Sequence, residues 1–134
     1  MIDAQAALIY IMVMVSAADS DMADAELRII GDIVNHLPIF AEYDKKRLAK
    51  DLRDCAALLG REAGLEEALK SVKTALPAKL RETAYGIACD VAAAGGELSQ
   101  ETLRLLELVR HRLGIDRLIA AALERGARAR FARG

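Results

Sequence analysis

"IMVMVSAADSDMADAELRIIGDIVNHLPI", residues 11–39, and "IACDVAAAGGELSQETLRLLELVRHRLGI", residues 87–115, align without a gap at an offset of 76. Ile11 meets Ile87, Val15 meets Val91, Ala17-Ala18 meets Ala93-Ala94, and Leu27-Arg28 meets Leu103-Arg104. Leu37 and Ile39 meet Leu113 and Ile115. Each stretch reads alike: a dense apolar run ending in small residues, a short break, then apolar residues at three- and four-residue steps. The run suits a helix buried around most of its circumference, and the stepped pattern suits an amphipathic one. Two such hairpins, each with an apolar stripe to bury, pack most simply about a pseudo-twofold axis. The expectation is one domain over 1–134, built from repeat halves of about 6–60 and 77–131.

Working outward, residues 3–18 contain no helix breaker and form the central helix of the first half. In the second helix Leu27, Ile30, Ile33, Val34 and Leu37 make the inward stripe, and Pro38 ends it. A third helix is expected over 41–60, with Leu48, Leu52, Cys55, Leu58 and Leu59 inward and "DKKRLAKDLRD" mostly outward. Gly60 and Gly64 bracket its end and the next start. A fourth helix covers 65–75, a fifth 77–94 with Pro77 at its first position, a sixth 99–113 and a seventh 116–131. Apolar residues are 54% of the chain, aromatics only 4% and Trp absent, so Ala, Leu, Ile and Val fill the core. That is a helix-forming palette. The predicted class is all-α, a single compact bundle of about seven helices.

Several functional classes are disfavoured. A pI near 6.1 and few aromatics lack the basic footprint and stacking platform of a nucleic-acid binder. The apolar run 6–18 is too short to span a bilayer and has no Lys or Arg before it, unlike a signal peptide. Cys55 and Cys89 have no CxxC or His-pair spacing, which fits two reduced, buried thiols in a cytoplasmic protein. An enzyme is not expected: there is no glycine-rich phosphate loop, no Ser-His or Cys-His pairing, and no inward Glu-x-x-His set. The net charge of −1 conceals an asymmetry, since residues 1–44 hold eight acids against Arg28 alone. Charge pairing between the two halves is the simpler expectation, and an acidic face for cations or a basic partner is the other.

The buried run ending in small residues, followed by "ADSDMADAE" in the first half and "AGGELSQET" in the second, resembles the bacterial tellurite-resistance TerB-like family. A similar domain forms the N-terminal part of a DnaJ-like co-chaperone. The resemblance spans about residues 6–125. It implies an all-helical, internally duplicated, non-catalytic domain linked to stress responses, with a divalent-cation site at the acidic turn. This sequence departs from the pattern at Ser20, where glycine is usual, and at Ala23, where a capping hydroxyl would help. Gly95 and Thr102 stand where the second half would need counterparts of Asp19 and Glu26, so the second turn should not bind a metal in the same way.

Two readings of Asp19, Asp21, Asp24 and Glu26 stand side by side. They do not make an EF-hand: counting from Asp19, position 5 is Ala23, position 6 is Asp24 and position 12 is Ile30. A looser site would draw on Asp19, Asp21 and Glu26 for calcium, magnesium or manganese, with Asp24 and Asp90 in support. The other reading is helix capping, where acids in a first turn offset the helix dipole. His36 and His111 suit helix C-termini, and the basic tail 125–134 is a solvated helix end or a docking segment for an acidic partner or membrane surface. The partner expected is a protein or a second copy of the chain.

Overall fold

The computed structural model describes residues 1–18, 24–96 and 98–134. Among them are seven α-helices and no strand: α1 (Ala4–Ala17), α2 (Asp24–His36), α3 (Leu48–Leu59), α4 (Gly64–Ala75), α5 (Arg81–Ala94), α6 (Gln100–Leu113) and α7 (Arg117–Arg130). The all-α expectation holds. None of these helices is long and apolar enough to cross a membrane.

α1 is the axis of the bundle. Every residue from Ala6 to Ser16 is buried, and the helix touches α2, α3, α4, α5 and α6. A helix apolar on all sides must be covered on all sides. The amphipathic helices supply that cover, α2 through Ile30, Ile33 and Val34, and α6 through Leu105, Leu106, Val109 and Leu113. α5 lies against α1 and carries α2, α6 and α7 in turn.

The third predicted helix is the main correction. Over 41–60 the chain first turns through short 3-10 segments at Pro38–Phe40 and Lys45–Arg47, and α3 begins only at Leu48. Between them Asp44 is extended and its side chain accepts from the Lys46 amide at 3.0 Å, a cap inside the expected helix. Phe40 and Tyr43 are both buried, edge to face with ring centroids 5.4 Å apart, and the break lets both rings reach the core. Asp51, placed outward by the pattern, is 7% exposed. It accepts a 2.6 Å hydrogen bond from the Tyr43 hydroxyl, and Arg47, stacked over that ring, lies 3.6 Å from it. Pro77, too, is extended and precedes a 3-10 turn, so α5 starts at Arg81.

At the α3–α4 corner the left-handed residue is Ala63, with φ 59°, not a glycine. Gly64 serves a different need: a Cβ built there would lie 1.9 Å from the Leu58 carbonyl oxygen. Close approach of two backbones, not freedom of φ, requires glycine here.

Both thiols are enclosed. The Cys55 Sγ faces the Tyr10 carbonyl at 3.8 Å, and burial pushes the Cys55 and Cys89 thiols up to about 12, Cys89 being helped by nearby Glu124. Burial likewise raises Tyr43 and Tyr85, reinforced by their hydrogen bonds to Asp51 and Glu124.

Gly64→Ala should destabilise the fold by at least about 2 kcal/mol in urea titration, as overpacking against backbone does. A change under about 0.5 kcal/mol would show that the α3–α4 corner relaxes freely. The raised thiols and phenols remain protonated in the native state when the unfolded chain has begun to lose those protons. The stability they contribute is therefore complete below about pH 8.5 and is lost as pH rises toward 12. The free energy of unfolding should fall across that window by an amount on the order of a few kcal/mol, and Cys55→Ala/Cys89→Ala should flatten the fall. An unchanged slope in the double variant would show the thiols to be accessible to solvent.

Candidate functional site

The acidic segment lies between α1 and α2 in the sequence. Asp19 and Asp21 lie outside the described residues. Asp24 opens α2 and is exposed, whereas Glu26, two residues later, is 7% exposed and points into the fold. The inward stripe of α2 is thus turned from its predicted setting: Leu27, placed inside by the pattern, is 44% exposed, and Glu26 takes an inward position.

What lies against Glu26 is the turn after α5. The Glu26 Cγ and Cδ would stand 3.3 Å from a Cβ added at Gly95. A side chain at Gly95 would press on the carboxyl group, so its absence lets the first turn of α2 approach the end of α5. Gly96, with φ +92°, then reverses the chain.

The residue that the sequence alignment sets against Glu26 is placed differently. Thr102, offset by 76 from Glu26, is 6% exposed. Its amide donates to the Ser99 Oγ at 3.1 Å, and the two hydroxyls are 2.9 Å apart. That turn is closed by neutral hydroxyl capping. In the first half Ala23 stands in the place of Ser99 and Glu26 in the place of Thr102, so a carboxyl group is buried where the aligned residue carries a hydroxyl. Close by in sequence, the Ser16 hydroxyl is fully buried with no hydrogen-bond partner among the described residues.

Asp90 sits elsewhere. It is paired with Arg130 of α7, and it lines a hollow of about 520 Å³ with Leu37 and Pro38, at the far end of α2 from the acidic turn. Asp24 and Glu26 share one turn, and Asp90 does not join them. Among the described residues no three His, Cys, Asp or Glu side chains converge as a metal site. His36 is exposed at the end of α2 with its Nδ1 2.8 Å from the Asp32 carbonyl, and His111 lies 3.8 Å from Glu107. Each is engaged with its own helix.

Two features had no signal in the sequence. One is the Tyr43, Arg47, Asp51 cluster, which Asp3 extends by pairing with Arg47 at 3.0 Å. The other is a hollow of about 440 Å³ between α6 and α7 over α5, where Tyr85 donates to Glu124 beneath the exposed Leu98 and Leu103. Cys89 lines it, but a thiol held up near 12 is a poor nucleophile.

The family model described as "Tellurite resistance protein TerB" matches residues 5–124. No curated protein and no solved structure matches the chain. A match over nearly the whole length, on a fold of seven helices around a buried α1, leads to one conclusion: the chain belongs to the TerB family.

Proposed function

We propose that this protein is a non-catalytic, cytoplasmic, stress-associated bacterial module whose acidic turn binds a divalent cation through Asp19, Asp21 and Glu26. The observation that carries the reading is the buried carboxylate of Glu26, set where the other half of the fold has a neutral Thr102. A helix start needs no buried charge, because surface acids offset the dipole equally well. A carboxylate held at a buried position, whatever else it contacts, presents fixed oxygens that a cation can draw on. A hard ion such as calcium, magnesium or manganese takes oxygen ligands, and two aspartates, a glutamate and water would suit it. The unpartnered Ser16 hydroxyl, three residues before Asp19, fits the same reading.

In this proposal Asp24 stands beside the ion and tempers its charge. Asp90, held by Arg130, keeps α7 on α5 instead. The ion would relieve repulsion among the four carboxylates and lock the α1–α2 turn against Gly95. The result is a switchable end to the bundle, offered to a partner.

A second reading is a metal-independent adaptor or self-association domain of the co-chaperone type. Leu98 at 42% exposure and Leu103 at 49%, beside the α6–α7 hollow, favour it, since apolar side chains rimming a hollow mark contact surfaces.

Thermal unfolding of chelator-treated protein, titrated with calcium, magnesium and manganese, separates the two. At a hundredfold excess over Kd the native state should gain about 2.7 kcal/mol, a rise in Tm on the order of 10 °C. Asp19→Ala/Asp21→Ala and Glu26→Gln should each remove the response while leaving the helical spectrum intact. An equal response in the double variant, or no response to any ion in the wild type, would overturn the cation reading.

A further inference from the structure

We infer that the protein forms a twofold dimer in which the acidic outer face of α2 on one protomer meets the arginine-bearing outer face of α7 on its partner, and the reverse. The inference deepens the self-association reading and needs no ion.

It starts from charges the fold leaves unmatched. The expectation that the two halves would neutralise each other fails for these two helices. Arg47 reaches Asp3 and Arg112 reaches Glu66, but among the described residues Asp24, Asp32, Arg117, Arg125 and Arg128 form no ion pair. α7 turns Ala120 and Ala127 inward. At 100° per residue Leu118 and Arg125 point most directly outward, with Ala121, Arg128 and Arg117 beside them on one flank, all five within about 100° and all exposed. No acid shares it, because Asp116 caps the helix through the Leu118 and Ile119 amides and Glu124 accepts from Tyr85. Leu118, on that outward face, is 80% exposed.

α2 is built to match. With Glu26, Ile30, Ile33 and Val34 inward, its outward side carries Asp24, Arg28 and Asp32, flanked by the exposed Leu27. Asp24 and Asp32 are eight residues apart, as are Arg117 and Arg125, so each pair spans about 12 Å of helix. Midway between them, Arg28 on α2 corresponds to the short Ala121 on α7. The register therefore sets two acids against two arginines without opposing the one base on α2. Arg is also the base suited to bidentate carboxylate pairing, and residues 80–134 contain no Lys.

Placement favours a second copy over other occupants. α2 and α7 both lie on α5, and Leu37 and Pro38, just past the end of α2, face Leu123 of α7 across one hollow. A twofold axis through that side brings both complementary pairs together at once and closes the assembly. An anionic bilayer would be drawn to α7 but would meet the acids of α2 on the same side.

Sedimentation of the full chain in chelator, at low and high salt, tests this. At low salt the mass should rise with concentration from one chain to two, and high salt should return it to one. Arg117→Glu/Arg125→Glu and Asp24→Gln/Asp32→Lys should each be monomeric. Mixed, they should give a one-to-one heterodimer, since each then offers the charge the other lacks. Arg117→Gln/Arg125→Gln, which removes charge without reversing it, should raise the dissociation constant at least about tenfold. The inference is overturned by a wild type that stays monomeric, by open-ended growth, by a mixture that stays monomeric, or by α7-dependent binding to anionic vesicles without dimerisation. Because chelator is present throughout, these outcomes are independent of the ion response.

Discussion

Everything in this fold is arranged around a helix that has no face for water. α1 buries its residues from Ala6 to Ser16, so neighbours must approach it from every direction. Fully burying a Leu, Ile, Val or Met side chain contributes roughly 1.5–3 kcal/mol, which makes this one element the largest apolar commitment in the chain. The amphipathic helices need cover for one stripe each, and α1 provides it. α5, the second such helix, repeats the arrangement less completely, leaving one side to α7 and to open hollows.

The same constraint explains why the ends of α1 and α5 matter. With α1 and α5 lying against each other, Glu26 at the start of α2 comes up against Gly95 at the end of α5. One turn is capped by Ser99 and Thr102 hydroxyls, while the other places a carboxylate at the corresponding position. Two segments aligned in sequence carry different chemistry there, a buried carboxyl at Glu26 and hydroxyl capping at Ser99 and Thr102.

Charge follows a different logic from packing. The polar network of Tyr43, Arg47, Asp51 and Asp3 is drawn inward and satisfied, tying α3 to the start of α1. The outward faces of α2 and α7 keep opposite charges that form no ion pair among the described residues. Surface ion pairs contribute little to a fold, so folding exerts little pressure to pair these residues internally, and association is free to use them.

The sequence alone determined the class, the number of helices and most of their boundaries, because apolar periodicity and Pro or Gly breaks are local properties. The run from Ile9 to Val15 reads as buried whatever surrounds it. The acidic turn was legible as a cluster, but its meaning was not. Only the tertiary structure decided that Glu26 turns inward while Leu27 turns out, since a rotation of less than half a turn about α2 is set by the packing of Ile30, Ile33 and Val34. Asp51 and the break before α3 were hidden for a similar reason: a buried acid reads as a surface one until Tyr43, eight residues earlier, is seen to donate to it. Gly64 read only as a marker of the next helix start and proved to be a point of backbone contact, a distance that no local pattern encodes. Patterns along the chain specify which faces must be buried, and only packing among helices settles which polar groups are buried with them.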